Sequence, residues 1–262
     1  MAHINTPFPH AERRDLVDPP IELILAQVRF PTLAELYESS GYVSFAKDIR
    51  AEYPKATPLH EVGIELAQGG ARQIASTPVW KFEDITGEWT VTLTPEFLGL
   101  ELKRYRHFSE FRDRFDHLWK RLVDLHRITN RTRLGLRYID RFATDKPMKL
   151  PLPPEWFELI EQSLFSMRRL DISMHPQAGQ LVHSFAIKNN LYLTYRSAFK
   201  WGAAEDPNFR EAVLDLDCYD PLGLETSNVA NRLDDLKEIS HNAFWWTFGQ
   251  LLTRMDPPHE PA

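Results

Sequence analysis

The sequence predicts an α+β fold, with largely antiparallel sheet covered by long amphipathic helices in two halves of similar strand-then-helix plan. Three observations predict it. Segments with alternating apolar residues recur along the 262-residue chain, among them WTVTLTPEFLGLELK and RTRLGLRYIDRF. Two longer segments instead repeat apolar residues every three or four positions: SEFRDRFDHLWKRLVDLHRI and the stretch from Ser227 or Asn228 to Met255. Between the halves lies ATDKPMKLPLPPEWF, whose prolines break both patterns and read as a linker or crossover. The organisation expected is a flexible segment 1–18, a first half 19–145, a second half 146–256 and a flexible tail 257–262. The two ends are polar, contain proline and show no periodic apolar face.

Taken in order, PPIELILAQVRF (19–30) alternates with apolar residues on both faces, as a central strand does. LAELYESSGYVSFAKDIRAEYP is helical in character with a break expected at Gly41, and Pro54 stops it. Three strands follow, HEVGIEL, PVWKFEDI and WTVTLTPEFLGLELK, the last bent at Pro95. Ser109 is expected to cap the first long helix, whose Phe111, Phe115, Leu118, Leu122 and Leu125 form the apolar stripe. In RTRLGLRYIDRF, Leu134, Leu136, Tyr138 and Phe142 face the core. Beyond the prolines come a short helix (155–166), then strands MRRLDISMH, QLVHSFAIK, LYLTYRSAF and AVLDLDCYD. The last helix carries Val229, Leu233, Leu236, Phe244, Phe248 and Leu251 as its apolar row.

Composition narrows the function classes. A hydrophobic content of 43% supports a real core, and the single Cys218 forms no internal disulfide and no thiolate-rich zinc site. No segment has the length and apolarity of a membrane span or signal core, so the chain reads as cytoplasmic with no membrane partner. Net charge is -6, which argues against indiscriminate polyanion binding. The charge is polarised, though: Lys103 to Arg141 holds twelve Lys and Arg against five Asp and Glu, a local +7, leaving -13 for the rest.

The most suggestive motif is the arginine row Arg131, Arg133, Arg137 and Arg141, spaced two or four apart on one extended segment. Guanidinium forks at about 6.5–7 Å intervals suit phosphates or carboxylates. The row therefore binds an external anion or acidic partner, or it faces carboxylates of its own chain. Asp215 and Asp217 share one face of AVLDLDCYD at the same pitch, and cross-strand ion pairing of this kind is common. A second group is aromatic. AFWWTF (243–248) cannot turn all its rings to one side of a helix, so Trp245 and Trp246, with Tyr192 and Tyr195, are candidates to line a ligand cavity or an interface.

Catalytic signatures are missing from the sequence. There is no HExxH and no GxSxG, QGGAR (68–72) reads as a hairpin turn, and the acidic pairs Asp215/Asp217, Asp234/Asp235 and Glu83/Asp84 show no cleft. No catalytic residue, metal ligand or cofactor is assigned.

The segments PPIELILAQVRF, WTVTLTPEFLGLELKRY with FSEFRDRFDHLW, RTRLGLRYIDRF, and LDLDCYD with LDDLKEISHNAFWWTF together resemble a sporadically distributed bacterial protein family of about this length with no assigned biochemical activity. The resemblance spans most of 19–250, with Asp140 standing where Asn is expected. It implies fold kinship and accessory-type occurrence, and it supplies no reaction. The function expected is a non-catalytic interaction or accessory protein, with a protein partner or self-association. Two alternatives stay open. One is a small-molecule cavity between sheet and last helix, with Arg137 holding an acidic headgroup. The other is nucleic-acid binding through the arginine strand and the basic face of the 109–128 helix.

Overall fold

The computed structural model describes residues 7–11, 16, 19–67, 70–144, 178–202, 206–221 and 224–255. The fold is α+β, and the strand pairings within each unit are antiparallel. In chain order the elements are β1 (Ile21–Arg29), α1 (Ser39–Ile49), β2 (Lys55–Ala67), β3 (Gly70–Glu83), β4 (Trp89–Leu93), β5 (Phe97–Leu102), α2 (Phe108–His126), β6 (Asn130–Arg131) and β7 (Arg133–Ala143). After the next described residues come β8 (Ala178–Ile187), β9 (Leu191–Trp201), β10 (Arg210–Asp220), β11 (Leu224–Glu225) and α3 (Val229–Met255). The expected short helix 155–166 and strand MRRLDISMH lie outside the described residues, as do most of the linker, the first six residues and the tail.

The chain forms two compact units. One, here the α2 unit, comprises Ile24–Leu136 and Asp220–Asp234; the other, the α3 unit, comprises Met1–Leu23, Arg137–Tyr219 and Asp235–Ala262.

In the α2 unit the strand order is β2, β3, β4, β5, β1. Period-two alternation stacks three cross-strand apolar rows: Val28, Leu98 and Leu93; Ala26, Leu100 and Val91; Ile24, Leu102 and Trp89. All nine side chains are buried. Helix α2 covers this face with Phe111, Phe115, Leu118, Trp119 and Leu122, and Trp89 stacks on Phe111 at 6.0 Å. Leu125 is exposed instead, and Trp119 takes a place in the stripe, its Nε1 donating to the Thr226 carbonyl at 2.9 Å.

Two expected boundaries shift. Helix α2 begins at Phe108 with His107 as N-cap, so Ser109 sits inside the first turn and makes no cap. The break around Gly41 falls instead at Glu38, which is extended between a 3₁₀ turn (Ala34–Tyr37) and α1. Gly41 has a different role, because a Cβ there would lie 2.0 Å from the Glu35 carbonyl oxygen. Only glycine lets the 3₁₀ turn close on the helix.

Strands β2 and β3 form a long hairpin paired from Lys55–Glu83 to Ala67–Gly70, as the turn reading of QGGAR anticipates, although residues 68 and 69 are outside the description. Strand β3 pairs with β4 only through Trp80 to Glu83.

In the α3 unit the strand order is β7, β10, β9, β8. One face is apolar and buried: Tyr138 and Phe142 of β7, Ala212, Leu214, Leu216 and Cys218 of β10, and Leu191, Leu193, Tyr195 and Phe199 of β9. Helix α3 lies on that face. Phe248 meets Phe142 edge-on at 4.9 Å, Ser240 Oγ lies 3.1 Å from Cys218 Sγ, and Thr247 Oγ1 lies 3.2 Å from the Tyr195 hydroxyl. Ile239 and Ala243 complete the buried row, while Phe244 is half-buried against Phe248 at 5.6 Å.

Candidate functional site

The outer face of the α3-unit sheet carries Arg137 and Arg141. On β7 the even-numbered residues from Leu134 to Phe142 are buried and the arginines are half-buried on the other side, as alternation requires. On β10 the same alternation sends Glu211, Asp215, Asp217 and Tyr219 to one face. Arg137 donates from Nε and Nη2 to the two Asp215 carboxylate oxygens, both at 2.7 Å, and Arg141 Nε donates to Glu211 Oε1 at 2.6 Å. Asp215 stands directly opposite Arg196 of β9, whose Nη1 reaches Asp215 Oδ2 at 3.3 Å. One carboxylate thus holds two guanidinium groups. The bidentate bond from Asp215 is the chief cause that raises the Arg137 pKa above its ordinary value, with Asp217 adding to it, so the charge is permanent. Internal carboxylates thus meet the guanidinium groups of both Arg137 and Arg141, which stay partly exposed.

Arg131 leaves the row. The extended run breaks at Thr132, so β6 ends at Arg131, which pairs with Leu224 of β11 in the α2 unit. Its side chain is buried and donates from Nη2 to the buried Asp220 carboxylate at 3.0 Å. Asp220 also accepts from Arg232 Nε at 2.9 Å. Arg131, expected among the anion- or partner-binding residues, is thus enclosed against a carboxylate of its own unit. Arg133 Nη1 reaches Gln27 Oε1 at 3.4 Å in the same unit.

The charged face of α2 is likewise matched internally. Arg112 donates to Asp113 and Asp234, Arg114 to Glu110, and Lys120 to Asp116. Arg121 donates to His117 and lies 3.6 Å from Asp48, while the Arg114 guanidinium also lies 4.4 Å over the Trp89 ring. Of these carboxylates, Asp234 and Asp48 come from outside the basic segment and offset part of its positive excess.

The four aromatic candidates do not converge. Tyr192 and Tyr195 are three apart on β9, an odd spacing that puts them on opposite faces. Tyr192 stacks on Tyr219 at 5.5 Å on the arginine side, whereas Tyr195 is buried beneath α3. Burial raises the Tyr195 hydroxyl pKa, against the hydrogen bond with Thr247. A single cavity lined by all four is ruled out by that parity. Trp245 is half-buried beside His241 and Phe244. Trp246 lies edge-on to Tyr195 at 6.5 Å and is 56% exposed.

The ring that accompanies Trp246 is one that sequence reasoning passes over. Phe8, in the segment expected to be flexible, is 6% exposed and packs on Trp246 at 5.3 Å and on Phe185 of β8 at 5.5 Å. Three residues later the Ala11 backbone N–H donates to Asn242 Oδ1 at 3.1 Å. The only sequence signal was local: an aromatic residue framed by Pro7 and Pro9.

Compared with models of known protein families and with curated proteins, the chain matches none.

Among the described residues, no group of three His, Cys, Asp or Glu is arranged to hold a metal ion, and no helix is long and apolar enough to cross a membrane. Cys218 is buried on the apolar face of β10, and burial pushes its thiol pKa up to about 12, which removes the thiolate that a nucleophile needs. Among the described residues of the α3 unit, Trp246 is an exposed aromatic side chain, and Arg137 and Arg196 are paired guanidinium groups that stay partly exposed.

Proposed function

We propose that the chain is a non-catalytic interaction protein, an accessory or regulatory module of the cytoplasm that works through the surface around Trp246. One observation carries this reading. Trp246 is 56% exposed on a helix whose neighbouring residues Ala243, Thr247 and Phe248 are buried. A large indole held in place by packed neighbours and left in water is the residue type that anchors protein interfaces. The resemblance to a family of accessory-type occurrence agrees with it and adds no reaction. The test is light scattering together with recovery of binding partners from the native host, comparing wild type with Trp246→Lys. A partner or second copy retained by wild type and lost by the variant, at unchanged melting temperature, is expected. A strict monomer from which both forms recover the same proteins would overturn the reading.

A second reading takes Arg137 and Arg196 as a docking point for an acidic partner. It is favoured by their sharing of Asp215 while remaining 39% and 34% exposed, which leaves guanidinium donors facing water. Binding of an acidic peptide that weakens with salt and with Arg196→Gln is expected. Failure to bind at low salt would dispose of it.

A further inference from the structure

Phe8 is a single buried side chain between exposed neighbours, since Pro7, Pro9 and His10 all face water. Its socket belongs to the body of the α3 unit. Phe185 supplies an edge contact at 71° and Trp246 a tilted one at 54°, and Tyr195 meets the same indole edge-on. Beside the rings sits a polar fixture. Asn242, one helical turn before Trp246, is 2% exposed, and its Oδ1 accepts the Ala11 N–H. A buried amide oxygen needs a donor, and here the donor is main chain of a different segment, which any peptide could supply. The socket therefore reads two things three residues apart: an aromatic side chain and a free backbone N–H. Neither requires the remainder of the N-terminal segment.

The bound segment is suited to docking and release. Pro7 and Pro9 fix their own φ and restrict the residues before them, so Pro-Phe-Pro loses little freedom on binding. A ring and an amide make a far smaller contact than a standard interface, so the attachment is reversible. Docking of proline-rich segments into aromatic-lined grooves is a recurring mode of recognition, and here the rings of the socket play the part of the groove.

We infer that Phe185, Trp246 and Asn242 form a recognition site for short, proline-framed peptides bearing an aromatic anchor, and that residues 7–11 occupy it in cis as a built-in competitor. The inference rests on the interaction reading above and names its partner class. A partner carrying such a peptide must displace Phe8 to bind, so the N-terminal segment sets the threshold for engagement.

The test uses the full chain with Phe8→Ala, which empties the ring socket, and a fluorescein-labelled synthetic peptide of residues 4 to 14 followed by anisotropy. Peptide affinity for Phe8→Ala is expected to be at least about tenfold higher than for wild type, whose own segment competes at high effective concentration. Adding Trp246→Lys to Phe8→Ala is expected to abolish binding, as is replacing the phenylalanine of the peptide by alanine. Phe8→Ala that melts like wild type yet binds no peptide at millimolar concentration would overturn the inference. A wild-type dimer that becomes monomeric on Phe8→Ala would overturn the cis assignment, because residues 7–11 would then come from a second copy. The two readings fail separately. Loss of peptide binding alongside a Trp246-dependent partner sinks only the socket, whereas peptide binding with partner recovery indifferent to Trp246→Lys sinks only the interaction reading.

Discussion

Asp220 in the α2 unit and Asp215 in the α3 unit each hold two arginines, and they differ in water. Asp220 and Arg131 are enclosed, with Arg232 largely covered, whereas Asp215, itself buried, is held by two half-exposed guanidinium groups. Equal stoichiometry therefore conceals unequal energetics. Desolvated charges depend on one another for every interaction they lose with solvent, and removing one partner strands the other. Exposed charges fall back on water.

The largest effect should come from breaking the enclosed cluster. Asp220→Asn removes a buried carboxylate that Arg131 and Arg232 share and is expected to cost about 3–5 kcal/mol, or on the order of 10 °C in melting temperature by calorimetry. A change under about 1 kcal/mol would show that water enters the cluster, and the contrast would disappear. Asp215→Asn should cost about 1 kcal/mol after discounting for the exposure of its partners, and the cost should shrink in high salt. Parallel salt titrations of both variants sharpen the comparison, because the Asp220→Asn penalty should persist.

Next comes the pH dependence of the buried thiol in the α3 unit. The Cys218 pKa is raised from 9.0 to about 12 by burial, so the folded state favours the neutral form. Its contribution to stability is complete below about pH 9 and is lost as pH climbs toward 12. Below that window, native protein should resist thiol reagents and react only at the rate of unfolding. Rapid labelling at pH 8 would show that the β10 face opens locally. The smallest effect is expected at the exposed Lys120, where Lys120→Gln removes the pair with Asp116 and should leave the melting temperature unchanged within error.

Legibility of the fold in the sequence followed burial. Where one face of a strand is buried, the two-residue period stands out, and β4, β5, β7 and β10 lie where their alternation places them. Helix α2 is readable for the same reason, save that Leu125 and Trp119 exchange roles at the edge of its stripe. The pairing of Arg137 with Asp215 of AVLDLDCYD follows from matched pitch on two strands, whereas Arg141 pairs with Glu211, one residue before that segment. Arg131 could not be read this way, because one break at Thr132 ends the period and only tertiary contact with Asp220 fixes the side chain. The odd spacing of Tyr192 and Tyr195 was in plain view and already separated them. Phe8 lies in a segment without periodicity, and its partners Phe185, Asn242 and Trp246 are far away in the chain, so no local pattern announces it.

The β2 and β3 hairpin has two ends with unequal support. Near its root, Trp80 to Glu83 bond on both sides, to β2 and to β4; toward residues 67 and 70 the described ladder has only its own two strands. Two strands alone are marginal in water. Amide protons should therefore exchange with deuterium in a gradient along the hairpin, fastest at the tip and slowest at the root, so that it frays like a zipper from its free end.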